Sequence, residues 1–532
     1  MHLRARAVRH TGRFGDERGF TMLLAVVVLA VTTLLIAGTY VAVLNDTGLS
    51  RNDLDQKRAL AAAQAGIQAY NFQLNQNVNY WENCSSVSNV AVSGSTSADA
   101  GSLETYTVTP VVASTAPSGT TQCSTVNPIG TMIEGSTAAT AAGTFRIQST
   151  GYSCPTSSPA PTCAGGVHRT IVAQYRSPSF LNFVYYTDYE VLDPSATPGN
   201  PTGCAVHYPS TRGNGCQPIE FVTGDSIKGP MHSEDWLLIC GSPVFGRTSA
   251  DQIQAAGHSD EGTGCGDSAT MTGTFNNSSP SLLPPSTNAQ ILNVTQAAYH
   301  YTGVTTIVLN GASMTVTNAN INGGVAQTVA DPTNGVVYVS TSGTLGCPVT
   351  YTPFNPSYTG NTGCGNVYVS GNYNTSLTIA SDNDVIINGS ITTPVNSSGV
   401  PTGTAALGLI ANDFVRIYHP VVGRTGSSCN GVSNATGSLQ DPTIYAAILA
   451  VNHSFIVDNY DCGNNLGTLH VYGAIAQLYR GPVGTGGGNS GYLKDYKYDD
   501  RLFTPEPPYF LNPVSAHWTV SRQTECDVAA SC

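Results

Sequence analysis

The sequence predicts a long N-terminal α-helix whose first half spans a membrane, then a small α/β unit, then a mainly β ectodomain. A right-handed parallel β-helix is the favoured form of that ectodomain and a β-sandwich is the alternative. Three observations predict this order. Phe20 to Leu44 carries no charged residue. Beyond it, Leu60, Ala63, Ile67, Tyr70 and Leu74 recur at alternating spacings of three and four, which puts one apolar stripe on a helix. From Val304 to Leu478, short β-branched and aromatic runs alternate with Gly and Asn corners.

Composition bounds the function. Of 532 residues only 10% are charged, against about 25% in an ordinary soluble protein. Length alone suggests about three or four domains, or fewer where one is a long β architecture. The formal net charge is −12 and Lys plus Arg total 21, so the clustered cations of a nucleic-acid surface are missing and no such partner is expected. Hydrophobic residues make up 41%, enough for a real core rather than a disordered chain. Glu, Lys and Arg are too scarce for a coiled coil.

In the first element, Arg4, Arg6, Arg9, Arg13 and Arg18 outweigh Asp16 and Glu17 ahead of the apolar run. As a helix, Phe20–Leu44 reaches about 37 Å, enough to cross a hydrocarbon core of about 30 Å. The arginines hold the N-terminus in the cytoplasm and place everything after Leu44 outside. A cleavable secretory signal has an apolar core of only about 7–15 residues, and here the helical pattern continues past it. Ala59 to Ala65 is alanine-rich and no proline occurs before Pro110, so one helix is expected from about Phe20 to about Asn75.

These residues carry a resemblance. Asp16-Glu17-Arg18-Gly19-Phe20-Thr21 resembles the processing site of type IV prepilins and pseudopilins, where a basic leader ends in Gly before Phe. The resemblance implies cleavage between Gly19 and Phe20 by a prepilin peptidase, which then methylates the new N-terminus. The family usually places Glu at the fifth residue after the cut, where this chain has Leu24; that departure suits a minor or tip component rather than a major subunit. Arg51–Tyr70, with Arg58-Ala59-Leu60 and Ala65-Gly66-Ile67, is similar to the N-terminal region of PilX-type minor pilins. The resemblance implies that the helix, with Leu60, Ala63, Ile67, Tyr70 and Leu74 as its packing residues, joins other pilin subunits in a filament.

Three alternating segments follow: Tyr106–Thr109, Phe145–Gly151 and Arg169–Tyr175. A short antiparallel sheet of these strands would cover the stripe Leu60–Leu74 as a pilin-like α/β unit, with an unrelated β module as the alternative. The Ser/Thr/Gly/Ala-rich stretches 92–101 and 135–143 read as loops. After Pro178 the repeats begin. Val385–Ile391 and Leu469–Ile475 read almost alike, with Met314–Ile321 as a looser copy. Asn383-Asp384, Asn412-Asp413 and Asn452-His453 each precede a strand, where an Asx side chain can cap a turn. Imperfect strand–corner–strand repeats point to the β-helix. The Tyr-, Phe- and Pro-rich tail Tyr496–Trp518 reads as an irregular cap on its open end.

The 14 cysteines are Cys84, Cys123, Cys154, Cys163, Cys204, Cys216, Cys240, Cys265, Cys347, Cys364, Cys429, Cys462, Cys526 and Cys532, all beyond the apolar run. An even number on one side of a membrane span predicts disulfides in an oxidising compartment. No Cys-x-x-Cys pair occurs, so no metal is expected. Cys154 and Cys163, Cys204 and Cys216, and Cys347 and Cys364 stand close enough to close short loops, and Cys526 with Cys532 to pin the terminus; connectivity stays open.

Catalytic candidates are weak. Asp382 and Asp384 would share a strand face, whereas Asp499 and Asp500 would diverge; both pairs read as turn or solvated groups. Arg416 reads as an outward-facing polar position. His232 in Gly229-Pro230-Met231-His232 reads as a buried, hydrogen-bonded turn residue, similar to a turn recurring in large ectodomains on PilX-type N-termini. Gly484–Gly488 reads as a flexible loop. No catalytic residue and no cofactor is expected.

The expected organisation is a basic leader 1–19, transmembrane helix 20–44, helix continuation 45–80, pilin-like sheet region 81–178, repetitive β ectodomain 179–480 and C-terminal cap 481–532. The expected function is a non-enzymatic minor pilin or pseudopilin-like subunit of a surface filament. It begins as a single-pass membrane protein and displays a disulfide-stapled ectodomain for assembly or adhesion, including to a surface ligand or carbohydrate. The alternative is a membrane-anchored carbohydrate-active β-helix enzyme.

Overall fold

In the computed structural model, residues 20–89, 102–114, 116–126, 131–134, 144–155, 166–176, 178–208, 210–260, 264–279, 281–348, 351–359, 361–426, 428–503, 506–514 and 518–526 are described. The leader, with Gly19, lies outside them.

Helix α1 spans Phe20–Gln76 without a break, 57 residues long. Its apolar half satisfies its own polar groups: the Thr32, Thr33 and Thr39 hydroxyls donate to carbonyls one turn back. In the second half Ala59, Ala63, Ile67, Tyr70 and Leu74 are buried and Leu60 is half-buried. They lie against an antiparallel sheet of β1 (Val87–Asn89), β2 (Ser102–Val111), β3 (Thr144–Pro155) and β4 (Val167–Arg176). The three strand segments expected from alternation fall inside β2, β3 and β4. At Gly151 a Cβ would collide with the Ala59 carbonyl and the Ala63 amide of the helix backbone. Only glycine lets helix and sheet approach this closely. Beside it the Ser149 hydroxyl donates to the Ala63 carbonyl at 2.7 Å.

The fifth strand of this sheet comes from the far end of the chain. Thr519–Cys526 pairs antiparallel with β4, Thr519 opposite Arg176 and Cys526 opposite Thr170. This return places Trp518 edge-on to Phe145, ring centroids 4.8 Å apart, and beside Trp81.

The rest of the chain is built on parallel pairing. In one ladder Val336–Ser340, Leu377–Ser381, Leu407–Ala411, Thr443–Ala450 and Asn465–Arg480 stand side by side in that order. The same ladder continues through β5 (Tyr185–Leu192), Met231–Ser233, Gln252–Gln254 and Thr274–Asn276. A second ladder joins Thr305–Gly311, Val367–Tyr373, Val385–Thr392, Val415–Ile417 and Phe455–Val457. A third passes from Thr443–Ala450 and Asn465–Arg480 through Gly491–Tyr498 to Ser226–Lys228 and Val244–Phe245.

Register makes the core columnar. Val337, Ile379, Leu409, Ile448, Ile475, Tyr185, Met231 and Ile253 are successive partners along the first ladder, and all are buried in one cluster. Each such side chain contributes about 1.5–3 kcal/mol of burial. The Asn corners also stack: the Asp413 amide donates to the Asn383 carbonyl at 3.0 Å and the Asn452 amide to the Asn412 carbonyl at 3.1 Å.

Order in space is not order in sequence. The chain enters this body in its middle at β5 and runs out to Thr274–Asn276. It then crosses back along the outside, burying Leu282 and Ile291, before winding from the far end to Asn465–Arg480 beside β5. On the way Asn288 donates to the Ser381 carbonyl at 2.7 Å.

Two expectations are corrected. Met314–Ile321 is not a further parallel repeat: Gly311, with φ 73°, turns the chain so that Ser313–Asn318 pairs antiparallel with Thr305–Gly311. Residues 481–532 do not form one cap. Gly491–Tyr498 sits inside a ladder, Phe510 and Leu511 pack on the outer face beside Val336, Ala380 and Ile410, and Thr519–Cys526 joins the N-terminal sheet. The tail is apolar because it straps the two sheets together.

Disulfides join Cys84–Cys123, Cys204–Cys216, Cys240–Cys265, Cys347–Cys364 and Cys429–Cys462. Cys154 and Cys526 are also disulfide-bonded, while Cys163 and Cys532 lie outside the described residues.

Candidate functional site

The first candidate site is the free half of α1. Thr21–Val43 is apolar throughout and exposed along its length, and 23 residues of helix reach about 35 Å. An apolar surface this large is unstable in water and requires lipid or other helices around it. It is compatible with a single-pass anchor. Leu24, where the prepilin pattern has Glu, is exposed within it. The stripe Leu60, Ala63, Ile67, Tyr70 and Leu74 is covered by the chain's own sheet, as the alternation in its three strand segments predicts. Tyr70 contacts Phe145 and Tyr175, and those two rings stack 5.0 Å apart. That aromatic core consumes the stripe, leaving Leu54 and Phe72 exposed on the rest of the helix.

Within the β body, buried charges cluster where sequence reading sees scattered ones. Arg416 is corrected from an outward position to a buried one. Its guanidinium meets Asp384 at 2.8 Å and Asp458 at 3.0 Å, and lies 4.0 Å from the Tyr351 ring centroid. Burial pushes the Asp384 carboxyl up, opposed by Arg416. The Tyr351 and Tyr358 hydroxyls both donate to Asp458. Asp382, two residues from Asp384, accepts instead from the Tyr338 hydroxyl and the Thr341 amide, so the two carboxylates serve different partners.

His232 lies on strand Met231–Ser233, buried, with Gln254 and Glu234 each at 2.8 Å from one ring nitrogen. Glu234 is held below its ordinary range: burial opposes this, but His232 and the Leu282 amide outweigh it. His453 touches Asp193 at 2.8 Å and the Ser195 hydroxyl at 3.3 Å. Burial lowers the His453 pKa, but Asp193 outweighs it and the net shift is upward. Both contacts use the same nitrogen, Nδ1, so Ser195 and Asp193 do not bracket the ring as a nucleophile and its orienting acid would. Glu220 lies near Cys240 and Cys265, and Asp461 near Cys429 and Cys462; as disulfides these cysteines offer no thiolate to a metal.

No family model matches the chain and no curated protein matches it. Among solved structures, the competence-associated pilin ComZ from Thermus thermophilus is similar at 10% identity, over 88% of this chain and 97% of that one, with a TM-score of 0.28. A superposition that loose carries no argument, and the reading below rests on this chain's own residues.

An open cleft of about 850 Å³ lies against the body. Asn334, Asn374, Thr375, Ser376 and Asp331 line it, with Tyr509 at its rim. Its polarity comes from amides and hydroxyls rather than from clustered charge. Sequence reading missed it because its walls come from seven separate segments of the chain.

Proposed function

We propose that this chain is a pilin-like structural subunit, cut between Gly19 and Phe20 by a prepilin peptidase, whose helix enters a surface filament through contacts with other pilins. The observation that carries the reading is the division of one continuous helix: an exposed apolar half, Thr21–Val43, and a second half packed on an antiparallel sheet. Before processing, the chain is a single-pass membrane protein with residues 1–19 in the cytoplasm and the body outside. Its N-terminal region is of the PilX type, and the absent Glu at Leu24 suits a minor or tip position. The parallel ladders are read as a right-handed β-helix, displayed for assembly or adhesion with a structural rather than catalytic role. The amide- and hydroxyl-lined cleft beside Tyr509 has the chemistry of a carbohydrate site.

The N-terminal sequence of the mature protein tests the processing claim. N-methyl-Phe20 is expected; a mature protein beginning at Met1 overturns it. Replacing Gly19 with a bulky residue is expected to stop processing, and unchanged processing contradicts the assignment.

A further inference from the structure

The turn of the body that joins its two halves is made of strands far apart in the chain. Gly491–Tyr498 pairs with Ser226–Lys228, while Asn465–Arg480 pairs with β5. Within this seam Lys494 Nζ lies 2.6 Å from Asp225 Oδ2. The Asp225 side chain is 1% exposed and that of Lys494 11%. The Val222 amide also donates to Oδ2, at 3.1 Å. Oδ1 is buried and has no hydrogen-bond partner among the described residues, which is costly for one oxygen of a carboxylate. The Phe221 ring centroid lies 6.0 Å from Nζ, and the same ring carries Arg480, which pairs with Glu190 at 2.9 Å. Burial, reinforced by Arg480, lowers the Lys494 pKa against the pull of Asp225.

We propose that Lys494 and Asp225 form an intramolecular isopeptide bond that covalently closes this seam. A proton passes from Nζ to Oδ2, its hydrogen-bond partner at 2.6 Å, giving a free amine and a carboxylic acid. Nζ attacks Cγ, and Oδ1 becomes the carbonyl oxygen. The Cγ–Oδ2 bond breaks, and Oδ2 leaves as water with a second proton from Nζ. The product is a secondary amide; nothing is oxidised or reduced and no co-reactant is consumed. The pair borders a cleft of about 290 Å³ through which the water can leave. Lys228 and Asp495, 2.9 Å apart nearby, provide the contrast: that lysine side chain is 40% exposed and open to water.

The test is a peptide map of the full-length protein, exported by its own cell, with disulfides reduced before trypsin digestion. The expected product is a branched peptide joining 213–228 to 481–497 with the mass of the two less one water, trypsin having passed over Lys494 but cut at Lys228. Lys494→Arg keeps the cation without the nucleophilic amine and is expected to lose the branched species entirely. Full recovery of 213–228 and 481–494 as linear peptides from the wild type overturns the proposal. Persistence of the branch in Lys494→Arg overturns it too.

Discussion

Arg480 Nη1 lies 2.9 Å from Glu190 Oε2, both side chains are buried, and the guanidinium carbon sits 3.5 Å from the Phe221 ring centroid. The same guanidinium donates to the Ile219 and Glu220 carbonyls. These bonds tie the last long strand, Asn465–Arg480, to the first strand of the body, β5.

A buried ion pair contributes little over an apolar replacement, but breaking one side strands a charge. Arg480→Met is therefore expected to cost about 3–5 kcal/mol, read as an earlier unfolding midpoint of the body. Adding Glu190→Leu should recover much of the loss. A double variant no better than the single one would show that the pair does not act as a unit.

Helix α1 and β3 touch at Gly151 with no room for a side chain. Gly151→Val must push α1 away from the sheet, a strain of about 1–3 kcal/mol or more. Hydrogen exchange is expected to rise across residues 59–74 and across β3 while the parallel body stays protected. An unchanged exchange pattern would refute this packing account.

Arg416 clamps the segment that carries Tyr351 and Tyr358 through their shared partner Asp458. Arg416→Met leaves Asp384 and Asp458 buried without a cation, at a cost of about 3–5 kcal/mol. Limited proteolysis followed by reduction should show new cuts between Cys347 and Cys364, a loop held closed by their disulfide.

Glu506 accepts from Arg176 at 2.8 Å on Oε1, while Oε2 is buried with no partner among the described residues. Burial pushes its carboxyl from 4.5 up to about 6, against the pull of Arg176. A raised carboxyl pKa means the folded state binds the extra proton, so stability falls as pH rises from about 4.5 through 6. The cost above that window is about 2 kcal/mol, from about 1.4 kcal/mol per unit. Relative to Glu506→Gln, the wild type should gain thermal stability as pH drops from about 6 to 4.5. A difference that does not vary with pH would rule this out.

Local pattern carried the helix and the small sheet. The three-and-four spacing of Leu60 to Leu74 and the alternation in β2, β3 and β4 are short-range signals, and helix and strands follow them directly. The Asn corners were legible as breaks before strands, but not their partners: Asn383 Oδ1 accepts from the Thr341 hydroxyl and the Gly365 amide, and Asn412 Oδ1 from the Asn288 amide. The inward direction of Arg416 was not, because its partners Asp384 and Asp458 reach it only through parallel register. The cover on the stripe Leu60–Leu74 was legible as the sheet of β2, β3 and β4, and that sheet buries it.

The sequence by itself determined the apolar helix, the even set of cysteines beyond it and the β character of the body, all properties of residue type and short spacing. Tertiary structure alone decided that the body closes on itself through Arg480–Glu190 and Lys494–Asp225, and that Thr519–Cys526 returns to β4. Those contacts join residues hundreds of positions apart. No local periodicity encodes such a pairing; it emerges when stacked strands bring buried charges and free sheet edges together.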